Sequence, residues 1–86
     1  MHVSYRLRFS AMCPVDHSMR DDYEVVIETG KMIKVEELIA LLDEYRPLAM
    51  FQEELTQDIV RRLGAVSKVM TTGMHSGVET VCVVTS

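Results

Sequence analysis

The sequence predicts an α+β fold in the order strand, strand, helix, helix, strand, strand. The expected architecture is an antiparallel four-stranded sheet with two antiparallel helices on one face. Three observations carry this prediction. Residues 2–10 alternate between apolar and polar side chains, two central segments place apolar residues at helical spacing on either side of a proline, and residues 65–85 are dominated by β-branched residues around a glycine-bearing break.

In the first strand Val3, Tyr5, Leu7 and Phe9 point one way, and Ser4, Arg6, Arg8 and Ser10 the other. A period of two means a half-buried strand. Ala11 to Asp22 loses this period and carries Pro14, Asp16, His17, Ser18, Arg20 and Asp21. That composition predicts a loop of about 12 residues, a length at which loops usually have a function. Tyr23, Val25 and Ile27 then alternate with Glu24, Val26 and Glu28 until Thr29-Gly30 ends a second strand. Val35, Leu38, Ile39, Leu41, Leu42 and Tyr45 share one side of a helix, with Glu36, Glu37, Asp43 and Glu44 on the other. Its first turn is acidic, as the helix dipole favours, and Pro47 stops it. Phe51, Leu55, Ile59 and Leu63 form an i, i+4 row on a second helix, extended backward by Leu48, with Gly64 at the position of a left-handed cap. Two further strands are predicted from Ala65 to Thr72 and from Val78 to Thr85, joined by a hairpin loop Gly73-Met74-His75-Ser76-Gly77. Without internal repeats, low-complexity tracts or a linker, residues 1–86 read as a single domain.

The 86 residues carry 9 Lys and Arg against 13 Asp and Glu, for a formal charge of −4. With 48% apolar and 26% charged residues, disorder, collagen and coiled coil are excluded. No apolar run approaches the roughly 18 residues of a membrane span and no signal-peptide stretch is present, so the expected location is the cytoplasm, with no membrane partner. Two cysteines in that setting are expected as free thiols. A domain of this size buries only about 60 to 65% of its unfolded surface. Val66, Val69, Met70, Val81, Cys82, Val83 and Val84 make the last two strands apolar on both faces. Both features predict a homo-oligomer whose sheets close into a multi-subunit β-barrel, which removes unpaired strand edges. The acidic balance gives no general attraction to phosphate backbones. A nucleic-acid partner would need local basic patches, for which Arg6 with Arg8 and Arg61 with Arg62 are the candidates.

Cys13, before Pro14 in the polar loop, is either a small residue tucked under a turn or a nucleophile or metal ligand. The second reading draws on Asp16, His17, Arg20, Asp21 and Asp22 close by. Cys82, inside a β-branched strand, reads as core. Cys13, His17 and the distant His75 make a possible set of three zinc ligands with an open fourth position. Glu53 and Glu54 open the second helix as solvent carboxylates or, in a cleft, as acceptors for the guanidine-like edge of a purine or pterin. Met32, Met50, Met70 and Met74 read as gap-fillers in the core and at an interface. There is no glycine-rich phosphate loop, dinucleotide fingerprint or serine elbow.

This order of elements resembles the tunnelling fold (T-fold), whose members bind purines or pterins between subunits of a β-barrel. Cys13-Pro14-Val15 followed by Asp21-Asp22-Tyr23-Glu24-Val25 is similar to the Cys-Pro-[Val/Ile]…Asp-x-[Phe/Tyr] segment of the QueF family, which acts on the nitrile of 7-cyano-7-deazaguanine. Val35-Glu36-Glu37-Leu38 and Phe51-Gln52-Glu53-Glu54-Leu55 resemble its Glu-bearing and His-Glu segments. The resemblance spans roughly residues 3 to 85. It implies Cys13 as the nucleophile, Asp21 as the proton-handling aspartate and Glu36 and Glu53 as base-binding residues. Gln52 stands where the family has histidine, and the step from Cys13 to Asp21 is one residue longer than the family's, which leaves Asp22 as an alternative to Asp21.

The reductases of the family carry a Glu-Ser-Lys-Ser-Leu-Lys stretch for the nicotinamide cofactor, where this chain reads Val35-Glu36-Glu37-Leu38-Ile39-Ala40. The resemblance is therefore to the short QueF-like proteins. It implies an amidinotransferase that forms the amidine of archaeosine on tRNA through a cysteine thioimide, without a cofactor. Two other readings stand beside it. One is a zinc-dependent T-fold enzyme of the GTP cyclohydrolase kind, and the other a non-catalytic T-fold assembly module in which the ring itself is the function.

Overall fold

The computed structural model describes residues 1–64, 66 and 68–85. Six elements follow one another: β1 (Val3–Met12), β2 (Arg20–Thr29), α1 (Val35–Asp43), α2 (Gln52–Leu63), β3 (Lys68–His75) and β4 (Val78–Thr85). The strands form one antiparallel sheet in the order β1-β2-β3-β4, so the helices are inserted between two neighbouring strands and no strand crosses over. This is the predicted ββααββ order of the T-fold.

Alternation decides which side of the sheet is covered. Tyr23, Val25, Ile27 and Thr29 of β2 are buried, and their cross-strand partners Phe9, Leu7 and Tyr5 on β1 and Gly73, Thr71 and Val69 on β3 share that face. α2 packs over β3 and β4, while α1 lies against β1. The core contains Val25, Ile27, Leu38, Leu42, Tyr45, Leu55, Ile59 and Val69. The two helices are tied side by side at their polar rims. The Tyr45 hydroxyl donates to Asp58 at 2.7 Å, and Arg62 reaches Glu44 at 2.7 Å and stacks over the Tyr45 ring. Burial and the bond to Asp58 push the Tyr45 phenol up, so it stays protonated and keeps donating.

Three connections differ from the sequence expectation. The first loop is shorter than Ala11–Asp22, because β1 runs to Met12 and β2 starts at Arg20. The Cys13 amide even donates to the Met19 carbonyl at 3.0 Å, which carries the ladder one pair further. Backbone pairing needs no hydrophobic period, and so the pattern missed it. The last hairpin is also tighter. Ser76 and Gly77 take φ of 51° and 80°, the left-handed pair of a two-residue turn, and His75 belongs to β3. Finally, Leu48 and Phe51 lie outside α2 and are 44% and 52% exposed, since Phe51 is an extended N-cap and the buried row begins at Leu55. The Leu48 carbonyl instead accepts from the Met12 amide, so the connection between the helices lines the end of β1. Ala65, where the third strand was expected to start, lies outside the described residues.

Candidate active site

The helix-covered face ends in a polar cluster where β1 leaves the sheet, β2 enters it, β3 ends and α2 begins. Register puts Asp21 there, opposite Ala11, on the face that Cys13 continues two residues on. Asp22 pairs with Ser10 and therefore faces the opposite side of the sheet, exposed. The Asp21 carboxyl is only 13% exposed. Tyr23, next along the same face, reaches its Oδ2 at 3.5 Å. Burial holds the Tyr23 phenol well above its ordinary range, with the charges of Asp21, Cys13 and Cys82 adding to the effect, so this hydroxyl is a permanent donor.

The Cys13 thiol is half-buried and accepts the Asp16 amide at 3.5 Å. Asp16 closes the turn that follows, accepting from the Ser18 hydroxyl at 2.7 Å and the Ser18 amide at 3.0 Å. These two bonds hold its carboxyl below the usual range. Cys82 sits on the helix-facing side of β4 opposite Thr71, and burial pushes its thiol up, with the nearby Glu53 charge adding to that shift. Both cysteines border the polar cluster: Cys13 follows the end of β1 on the face of Asp21, and Cys82 lies beside Thr71 and Thr56 under the first turn of α2.

Gln52 carries the geometry of the whole end. It is 2% exposed, and its Nε2 donates to the Thr71 carbonyl at 3.1 Å, the Thr71 hydroxyl at 3.2 Å and the Thr80 carbonyl at 3.0 Å. Thr56 completes the link, bonding the Gln52 carbonyl at 2.7 Å and the Thr71 hydroxyl at 2.6 Å. The first residue of α2 is thus bolted to β3 and β4. Its Oε1 meets His75 Nε2 at 2.8 Å, and His75 Nδ1 lies 3.9 Å from Asp21 Oδ2. Gly73 makes the approach possible, since a Cβ there would fall 2.5 Å from the Tyr23 ring and 3.2 Å from Gln52 Oε1.

Placed against the sequence expectations, the structure gathers Cys13, Asp21, Gln52 and His75 at one end of the sheet, with Glu53 exposed on the first turn of α2. Glu36 is exposed on the first turn of α1, whose entry is fixed by the Ile33 amide donating to the Tyr5 hydroxyl, at the other end of the sheet from Cys13. His17 is exposed in the turn after Cys13, and among the described residues no three His, Cys, Asp or Glu side chains are grouped to hold a metal ion. The zinc set Cys13, His17 and His75 therefore does not converge. His75 in its coupling to Asp21 was missed because the sequence placed it in a loop; the signal that finds it is the Ser76-Gly77 dipeptide, a two-residue turn.

The candidate basic patches are occupied. Arg6 and Arg8 share Glu24 at 3.7 and 3.9 Å, Arg61 pairs with Asp58, and Arg62 pairs with Glu44. Met32 and Met74 are 77% and 58% exposed, while Met50 packs against the core. No helix is long and apolar enough to cross a membrane among the described residues. A concavity of about 590 Å³, lined by Arg8, Asp22, Arg46 and Glu79 among others, excludes Cys13, Gln52 and His75.

No family model and no curated protein matches the chain. Among solved structures, the chain is similar to the crystal structure of the archaeosine synthase QueF-Like in the apo form. The two superpose with a TM-score of 0.90 at 27% identity, over 99% of this chain and 92% of that one.

Proposed function

From the likeness of the chain to an archaeosine synthase QueF-Like structure, we propose that it is a T-fold protein of the QueF-like family that converts the nitrile of a 7-cyano-7-deazaguanine base into an amidine through a thioimide on Cys13. The observation that carries this reading is the placement of a half-buried thiol and a shielded carboxyl, Cys13 and Asp21, on one face at one end of the sheet. The Cys13 sulfur bonds to the nitrile carbon as one C–N π pair moves to nitrogen, and Asp21 supplies the proton that nitrogen takes up. Ammonia then adds to the same carbon and the thiolate leaves. One nitrile and one ammonia become one amidine with no change of oxidation state, so the balance calls for no redox cofactor.

Glu53, on the turn after Gln52, accepts two parallel hydrogen bonds from the guanidine-like edge of the base and turns the attack into a positioned one. Glu36 and Asp22 are left out of this set, and Gln52 acts by anchoring α2. Cys13, Asp21, Gln52 and His75 do not line the concavity, which the cluster borders only through Tyr23 and Gly73, and Val78, Val81 and Val83 of the outer strand β4 are 48 to 63% exposed. Both features support a ring in which a second copy walls the site. A base carried on tRNA fits the family, with Arg6 and Arg8 as phosphate contacts once Glu24 releases them.

Incubation with 7-cyano-7-deazaguanine followed by intact-mass measurement tests the reading. The expected product is an adduct of the whole substrate mass, lost in Cys13→Ala and kept in Cys82→Ala. An adduct that survives Cys13→Ala, or none in the unaltered protein, overturns it.

A further inference from the structure

We propose that His75 and Asp21 work as an ion-pair-distance couple that carries one proton on one partner or the other, with His75 as the positioning residue that reloads the Asp21 carboxyl for proton donation. The inference rests on the function proposed above for its chemical use, but its geometry stands alone. The Thr71 and Thr80 carbonyls can only accept, so the amide nitrogen of Gln52 must face them and Oε1 must face His75. That oxygen can only accept as well, so His75 Nε2 carries a hydrogen and donates it across 2.8 Å. In a neutral imidazole Nδ1 then has a lone pair, and it lies 3.9 Å from Asp21 Oδ2, beyond hydrogen-bond distance. A lone pair this close to a carboxylate that is 13% exposed is unfavourable. One proton on either partner removes the conflict, giving an imidazolium beside a carboxylate or a carboxyl beside a neutral imidazole.

The surroundings reinforce this arrangement. Tyr23, its ring 5.9 Å from that of His75, donates to the same Asp21 oxygen and stays protonated, so it supplies no competing base. The groups packed around the imidazole are Asp21 and Tyr23 from β2 and the neutral Gln52 from α2, with Glu53 next along the helix and Val78 across the ladder on β4. Gly73, two residues before His75 on the same face, leaves the space in which Tyr23 and Gln52 close on it. The carboxyl that would protonate a nitrile nitrogen is thus coupled to a base that can refill it, while the base is oriented by an amide locked to the sheet.

Two measurements test the pair. The ¹⁵N shifts of His75 in the ligand-free protein report which nitrogen carries hydrogen. The expected neutral form is Nε2–H, and its titration should change in Asp21→Asn; a neutral Nδ1–H form, or a titration indifferent to Asp21→Asn, overturns the proposal. The second is the rate of adduct formation with 7-cyano-7-deazaguanine against pH. His75→Gln should slow it by about 10²-fold at neutral pH and move the profile to lower pH, with base affinity and unfolding midpoint retained. A profile superposable on that of the unaltered protein, or a loss of affinity with an unmoved profile, overturns it. If the unaltered protein forms no adduct, the parent reading fails and the tautomer measurement decides the pair.

Discussion

Helix α1 opens Val35-Glu36-Glu37-Leu38 and helix α2 opens Gln52-Glu53-Glu54-Leu55, both from an extended N-cap with no side-chain cap bond. In each the glutamates are exposed and the leucine is buried. The one difference in pattern is the first residue. Val35 is 50% exposed, whereas Gln52 is 2% exposed and spends both amide hydrogens on β3 and β4. A single polar side chain at the first helical position therefore separates a helix that only covers the sheet from one that is welded to it beside a thiol, a carboxyl and an imidazole. The carboxylates, which look functional in both, do not make that distinction.

The comparison breaks most visibly at its anchor. Gln52→Leu leaves the Thr71 and Thr80 carbonyls without their donor and frees His75. At about 1–3 kcal/mol for each buried group left unpaired, unfolding in urea should show a loss of at least about 2 kcal/mol. Gly73→Ala comes next, because its Cβ must displace the Tyr23 ring and crowd Gln52. A loss of about 1–3 kcal/mol is expected by the same measurement, and a neutral result would show that the close packing around Gln52 is dispensable.

Glu53→Gln and Glu36→Gln ask whether the two glutamates differ as the two helices do. Binding of 7-cyano-7-deazaguanine, followed by calorimetry, should weaken about tenfold in the first, as expected for losing a charged hydrogen-bond acceptor, and remain unchanged in the second. Equal losses would place Glu36 in the same site. At the first position of α1, Val35→Ala should shift stability by less than about 0.5 kcal/mol.

The smallest effect is one of pH. The Asp16 carboxyl is held below its ordinary range by Ser18, so its contribution to the turn after Cys13 is present above the usual carboxylate range and is lost as pH falls through the lowered value. Protection of the Ser18 amide against exchange, relative to its intrinsic rate, should fall on that acid side, and in Asp16→Asn it should lose this dependence.

How much of this was legible beforehand varies by residue. Val3 to Phe9, Tyr23 to Ile27 and the row Leu55-Ile59-Leu63 announce their elements because burial on one face imposes a period that the sequence must write out. The end of β1, the start of β2 and the end of β3 left no such trace, since Met12, Cys13, Arg20 and His75 are held by backbone bonds that any residue can make. Cys13 and Asp21 were legible by residue type and by family resemblance. Asp21 and Asp22 were not separable without register, because adjacent strand residues face opposite sides and one position of slip exchanges them.

The sequence by itself determined the order of the six elements, the apolar faces that pair them and the presence of a cysteine among carboxylates, because hydrophobic period, proline and glycine are local signals. Only the tertiary structure decided which carboxylate shares a face with Cys13, that Gln52 is an anchor, and that His75 reaches Asp21. Those relations join residues 19 to 54 positions apart along the chain, from Gln52 to Thr71 and from Asp21 to His75. They are set by strand register and by the shape left open at Gly73, quantities that exist only once the sheet has formed and α2 has docked on it.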